Sequence, residues 1–411
     1  MQRRTGRTPS SVAVLAVATA TLAAGLGGCA AEPDPGTVTV LNSATDTAEH
    51  EANQEFFERC AEPLGLEIEQ ISVPADQVAS KALRMASSDS LTDILELDGS
   101  ELPQFAETGG LRPIEEVGVG AERFSESSIE LGSYDGTRYG VARSVNSLAL
   151  IYNTGLLAEA GLEPPTTWDE LRETAAALTV GDTYGMAFSA SPNADGVYQF
   201  LPFFWSAGGD EARLDEGAGA SALQLWKDLV DAGSSSRSVV NWNQQDVNDQ
   251  FLSGRAAMMI NGPWQVPVLS AQDEVDWAVA SIPVPEAGLD PVPPIGGTVM
   301  TVPRNDDPER ERNAGRILEC LNSEENQLAW GERVNNVPTD IHAAATYREQ
   351  NPELAPFADL VETARSRTAR VGTRWPVIGD ALSGAFQSVL TGRASPEEAL
   401  RQAQRQAGGD E

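Results

Sequence analysis

The chain has 411 residues, 41% of them hydrophobic, with 61 acidic against 28 basic residues and a formal charge of −33. That content is ample for folded cores, and the length exceeds one ordinary core, so two domains are the starting expectation. The charge excludes a nucleic-acid surface, because phosphate would be repelled, and argues against broad binding to anionic lipid.

Taken in chain order, Arg3, Arg4 and Arg7 give a positive start, and Ser11 to Leu26 is apolar and uncharged. That order reads as a secretory signal. The run is too short to span a membrane comfortably, which takes about 20 residues. Its end, Leu26-Gly27-Gly28-Cys29, resembles a bacterial lipobox. Small residues at 27 and 28 suit a narrow peptidase cleft, and the Cys29 thiol is the group there that can take a diacylglycerol. The alternative is an ordinary cleaved signal with an incidental cysteine. Residues 1–28 are read as a lipoprotein signal and 29–36 as a tether. The protein is then exported and lipid-anchored to the outer face of the cell membrane. If lipid takes Cys29, Cys60 and Cys320 remain, in an oxidising compartment that favours their pairing. Two buried, unpaired thiols are the other reading.

After the tether, Thr37-Val38-Thr39-Val40-Leu41 is β-branched and reads as a strand. Residues 49–60 read as a helix, 66–71 as a cleanly alternating strand, 75–87 as a helix and 93–97 as a third strand. This β-α-β-α-β order is the signature of a parallel sheet with helices on its faces. Ligands of such sheets sit beyond the strands' carboxyl ends. Asn42, Ser43, Thr45 and Asp46 follow the first strand; Asp98, Gly99 and Ser100 follow the third. Helix capping explains such residues as well as ligand contact does. Residues 134–152 hold two extended segments with a polar break at 144–147, and Thr167-Trp168-Asp169-Glu170 starts a helix. Residues 251–264 read as a helix end, a strand and a turn at Gly262-Pro263 into another helix. Residues 283–294 are Pro-rich and extended, and 295–303 form a strand opened by Gly296-Gly297. Helical spacing returns over 379–390, and Ser395-Pro396-Glu397-Glu398 starts a last helix.

Metal and nucleophile chemistry find little support. His50 and His342 are the only histidines, neither with a partner at ligand spacing, and no CxxC, HExxH or GxSxG occurs. Glu115-Glu116 and Asp306-Asp307 are sequence neighbours in loop-like surroundings and read as solvated surface rather than an acid–base pair. No metal or cofactor is expected.

Several segments together carry a resemblance. They are the lipobox, residues 93–98 leading to Phe105-Ala-Glu-Thr-Gly-Gly-Leu-Arg-Pro113, and Tyr139 to Leu156. Then come Trp168-Asp-Glu-Leu171, Phe203-Phe-Trp-Ser-Ala-Gly-Gly209, Phe251 to Trp264, Gly296-Gly297 and the tail from Trp375 to Ala403. In this order they resemble substrate-binding lipoproteins of ATP-binding-cassette (ABC) importers, in the family 1 extracellular solute-binding group that includes maltose-binding protein. The resemblance implies an α/β, two-lobe periplasmic-binding-protein-like (type II) fold with a three-segment hinge. Lobe one would comprise residues 37–142 plus 296–337, and lobe two 143–295 plus 338–411. Cys60 and Cys320 would then share a lobe and leave the hinge free. The implied protein is a monomer, not an enzyme, that captures a sugar and hands it to importer permease subunits. The alternatives are an exported carbohydrate-active enzyme, with Asp46 and Asp98 as the nominated carboxylates, and a carrier for a non-sugar solute.

A neutral sugar needs hydrogen-bonding groups for its hydroxyls and flat aromatic faces for its C–H surface. Among eight tryptophans, Trp264 follows Gly262-Pro263 at a turn that would display its indole at the cleft. Trp375, in an expected loop, and Trp205 are further candidates, with core packing as the competing role for each. Trp226, Trp277 and Trp330 read as core and Trp168 as a helix start. The polar candidates are Asp46, Asp98, Asn146 and Arg374, with Gly296 and Gly297 letting backbone approach a ligand closely.

Overall fold

The β-branched run after the tether forms strand β1 (Thr37–Asn42), the centre of a parallel trio. It is followed by helix α1 (Thr47–Ala61), strand β2 (Glu67–Ser72), helix α2 (Ala75–Ala86) and strand β3 (Ile94–Asp98). The computed structural model describes residues 36–408 except 46, 89 and 273–274. Cys29 and Asp46 therefore lie outside the described residues. In register, Val38 lies opposite Ile68 on β2, and Val40 opposite Ile94 on β3. The sheet does not stay parallel beyond β3. Thr298–Thr301 runs antiparallel to it, with Val299 opposite Leu97, and Gly140–Val141 adds a fifth, antiparallel strand. Thr298–Thr301 returns from a second sheet, and a returning strand need not share the direction of a β-α-β unit; Gly140–Val141 precedes that sheet and, antiparallel to Thr298–Thr301, runs the same way as β3.

That second sheet is antiparallel throughout. Ala149–Asn153 lies between Trp277–Ala280 and Met258–Asn261. The chain passes between the sheets at residues 141–149 and again at 280–298. The helix Pro308–Leu321 packs on α1, whereas Ala355–Glu362 packs on the second sheet, so a third passage lies between them. There Val337–Pro338 pairs with Ser144–Val145. The passages are stitched together. Asn146 and Gly296 exchange backbone hydrogen bonds at 3.0 and 2.8 Å, and the Thr339 hydroxyl donates to the Ala142 carbonyl at 2.5 Å. The carboxamide of Gln327 satisfies the Thr339 and Asp340 backbone N–H groups at 2.7 and 2.6 Å.

The α1 side of the first sheet has its own core, while its other face, with Leu41, Leu95 and Leu97, joins a cluster continuous with that of the second sheet. Beside the first, Phe56, Phe57, Ile317, Leu318 and Trp330 are buried, with Phe56 edge-on to Trp330 at 5.3 Å. The guanidinium of Arg143 lies 3.7 Å over the Trp330 ring, next to buried Glu96, and burial pushes its pKa down to about 10. Cys60 on α1 is bonded to Cys320 on Pro308–Leu321, so the expected disulfide is present and both partners belong to the first sheet's layer. Beside the second sheet, Phe200, Phe203, Trp226 and Phe386 form an aromatic cluster with ring centroids 4.8 to 6.2 Å apart. Trp226 and Trp330 are core residues as the sequence suggests, while Trp277 is half-buried in its strand.

The tail packs on this second cluster. Trp375–Leu390 contacts Ala194–Ser206 and Gly219–Asp231, and Pro396–Gln406 closes over them. The sequence places Trp375 in a loop, but it is the first residue of its helix, with Pro376 in the first turn, where its missing N–H costs nothing. The last helix starts as read, with Ser395 and Glu398 making a reciprocal capping box. Among the described residues no helix is long and apolar enough to cross a membrane.

Candidate functional site

The carboxyl end of β3 opens into a cavity of about 620 Å³, lined from the other side by elements of the second sheet's layer. Asp98, Ser100 and Glu101 come from the β3 loop; Asn146, Gly296, Gly297 and Thr298 come from the passages between the sheets. Ala194, Asp195 and Tyr198 come from the helix Ala194–Ser206, with Gln244, Trp264 and Arg367 beyond it. An adjoining cavity of about 340 Å³ shares Ser100, Glu101, Tyr198 and Arg367 and adds Gln104, Asn193, Trp375 and Asp380.

Trp264 lines the larger cavity because of its turn. Pro263 starts a short 3₁₀ turn after Met258–Asn261, and the indole folds back over Gly262. A Cβ on residue 262 would meet ring atoms at 2.1 Å, so only glycine allows this placement. The ring is half-buried and tilted against Tyr198, with centroids 6.4 Å apart. Tyr198 in turn lies under the Arg367 guanidinium, 5.2 Å from its ring centroid, and its hydroxyl reaches Asn146 Oδ1 and the Pro294 carbonyl, each at 3.4 Å. Burial pushes the Tyr198 phenol well above its usual value, so it stays a neutral donor. Gly296 sits against this pair: a Cβ there would come 2.2 Å from the Tyr198 hydroxyl and 2.4 Å from Asn146 Oδ1. Gly297 has φ 139°, a backbone angle that side chains resist.

The carboxylates differ sharply in state. Burial opposes the charge of Asp98, but Arg367 at 2.8 Å and the N–H and hydroxyl of Ser100, at 2.8 and 2.5 Å, outweigh it and hold its pKa below the usual value. Glu101 is pushed up to about 7, first by burial and then by its neighbour Asp98, against the pull of Arg367. Asp195 is raised by burial, partly offset by a backbone hydrogen bond from Gln244.

Of the residues singled out from the sequence, Asp98, Asn146, Trp264, Gly296 and Gly297 meet in the larger cavity, and Trp375 lines the adjoining one. Two do not belong here. Trp205 is 3% exposed; its Nε1 donates to Glu211 at 3.0 Å, and Arg365 stacks on its ring at 4.1 Å, so it serves a buried ion-pair cluster instead. Arg374 donates to the Ala407 carbonyl at 3.0 Å and fastens the last helix. Tyr198, Arg367, Glu101, Asp195 and Gln244 were missed. Arg367 lies in the polar stretch 365–370, between the helices Ala355–Glu362 and Trp375–Leu390; nothing in the apolar run around Tyr198 marks it as a cavity residue.

The family description "Bacterial extracellular solute-binding protein" matches residues 55–355. The chain belongs to this family. A Brucella abortus protein named only as a binding protein is 26% identical over 357 residues, covering 84% of this chain and 85% of its own length. The galactooligosaccharide-binding protein of Bacillus subtilis is 25% identical over 334 residues, 77% of this chain and 76% of its own. Among solved structures, the cyclic alpha-maltosyl-1,6-maltose binding protein of Arthrobacter globiformis superposes with a TM-score of 0.80 at 24% identity, covering 92% of this chain and 99% of that one. The fold is that of the type II periplasmic-binding proteins.

Proposed function

We propose that this solute-binding protein captures a sugar in the cavity between its two sheets and delivers it to the permease of an ABC importer. The observation that carries the reading is the company Trp264 keeps. A half-buried indole shares one cavity with Asp98, Asn146, Tyr198 and Arg367, which offers an apolar face beside donors and acceptors. The sugar-binding relatives in Bacillus subtilis and Arthrobacter globiformis support it. In this reading residues 37–142 plus 296–337 form one lobe, and 143–295 plus 338–411 the other. The three passages act as the hinge. Ligand contacts to both lobes favour the closed form, which the permease recognises. Trp375 would extend the platform into the adjoining cavity.

The lipid anchor belongs to the same proposal. The n-region, the apolar run and Leu26-Gly27-Gly28-Cys29 support attachment through Cys29. Cys29→Ser should then release the protein from the membrane fraction, and retention there would sink the anchor.

No chemistry on the sugar is proposed. The contrast between Asp98 and Glu101 invites a hydrolase reading, but the two lie three residues apart on one loop, on one side of the cavity, and among the lining carboxylates of the larger cavity Asp195 is the one that faces them. Glycoside hydrolysis needs carboxyls on opposite sides of the scissile bond. A thermal-shift screen against mono- and oligosaccharides, with product analysis of each mixture, tests both points. Binding raises the melting temperature by mass action; released sugars would identify an enzyme, and no shift with any sugar would remove the sugar reading.

A further inference from the structure

The carboxylates around the cavity outnumber their cations. Asp98, Glu101 and Asp195 line the larger cavity and Asp380 the adjoining one, against Arg367 alone. Arg367 is committed to Asp98 at 2.8 Å. Among the described residues, Glu101, Asp195 and Asp380 have no ion-pair partner within 4 Å. Two of these three, Glu101 and Asp195, are partly buried. Trp264 and Tyr198 present rings to the same cavity, and an aromatic face attracts a cation.

Resting on the sugar reading above, we infer that the solute this cavity prefers is a saccharide carrying a protonated amine, held by the uncompensated carboxylates Glu101 and Asp195 beside the Trp264 and Tyr198 rings. Hydroxyl groups would hydrogen-bond these carboxylates but would leave the repulsion between Glu101 and Asp98 in place. An ammonium group relieves the repulsion and forms charge-assisted hydrogen bonds, about twice as strong as neutral ones. The upward shifts of Glu101 and Asp195 fit this picture: burial is the chief cause of both, offset only in part by Arg367 at Glu101 and by a backbone hydrogen bond at Asp195. Glu101 faces Asp98 on its own side, Arg367 reaching over from the opposite wall, Asp380 across the adjoining cavity and Asp195 across the larger one. Three of these four are negative, so a bound cation lowers the Glu101 pKa and expels its proton. Affinity for an amine ligand should therefore rise between pH 6 and pH 7.5, whereas affinity for a neutral sugar should not.

The test is calorimetric titration of the full chain with pairs of probes that differ only in hydroxyl versus ammonium: glucose with glucosamine, and cellobiose with the fully deacetylated glucosamine dimer. Maltotriose serves as a further neutral probe. The amine member should bind at least tenfold more tightly at pH 7, release protons on binding, and lose much of its advantage in 0.5 M salt. In Glu101→Gln the ratio of amine to neutral affinity should fall at least threefold and lose its pH dependence. Asp195→Asn should lower the same ratio if the first variant fails to fold. If neutral and amine members bind equally, or the neutral one binds better, the amine preference is overturned while the sugar reading stands. If no saccharide of either kind binds, both fall together.

Discussion

Arg367 donates to Asp98 at 2.8 Å and so joins the loop before the C-terminal helices to the end of β3, the strand that carries the opposite wall of the cavity. Arg367 is only 9% exposed, whereas the Asp98 side chain remains 43% exposed and open to a ligand. This is the charged contact that spans the cavity. Arg367→Met removes the guanidinium and leaves burial unopposed at Asp98 except by Ser100. The Asp98 pKa should then rise above its wild-type value, readable by carboxyl NMR titration. The loss of stability should stay near about 1 kcal/mol, because the carboxylate still reaches water. An unmoved Asp98 titration would mean that the pair does not persist in solution.

Trp264 and Trp226 are two indoles with opposite duties. Trp264 is half-buried on the cavity wall, and Trp226 is 1% exposed among Phe203, Phe200 and Phe386. Trp264→Ala should weaken sugar binding about tenfold to a hundredfold and leave most of the melting temperature intact. Trp226→Ala should cost about 3–5 kcal/mol of stability through the cavity it leaves. An early-melting Trp264→Ala that binds normally once folded would make Trp264 a packing residue.

The folded chain favours protonated Glu101, since its pKa moves up from 4.5 to about 7. A raised carboxyl contributes its full stability below the unfolded value and loses it as pH climbs through the folded one. The wild type should therefore lose stability relative to Glu101→Gln between about pH 4.5 and pH 8. Melting both proteins at pH 5, 6, 7 and 8 measures this, and parallel curves would refute it.

The disulfide links positions 260 residues apart. Reduction, or paired Cys60→Ser and Cys320→Ser changes, should lower the melting temperature and cost up to about 5 kcal/mol of stability in the chain-entropy account. Alkylation without reductant should find neither thiol free.

Much of this fold is written locally. The β-branched and alternating runs at 37–41 and 66–71 announce β1 and β2, and Ser395-Pro396 announces the last helix, because backbone and capping preferences act within a few residues. Gly262-Pro263-Trp264 is equally local, and it puts Trp264 at the cavity. Direction of approach is not local. Trp205 ends the run Phe203-Phe204-Trp205, a candidate ligand contact by sequence, yet it is turned toward Glu211, six residues on, and toward Arg365, which is far away in sequence. Tyr198 lies seven residues earlier, on the same face of that helix two turns nearer its N-terminus, and lines the cavity. Periodicity fixes which residues share a face; only the packed neighbours decide which turn along that face meets the ligand. Arg374 fails for a similar reason, since its partner is a carbonyl 33 positions later.

The bond between Cys60 and Cys320 encloses most of the chain that builds the cavity, from β3 through Trp264 to Gly297. A protease that nicks any single peptide bond between those cysteines cannot release a fragment. The two pieces stay tied through the first sheet's layer, and a nicked molecule migrates as one species until a reductant separates it. For a protein outside the cell, damage to an exposed loop of the second layer is then a local wound rather than the loss of half the molecule.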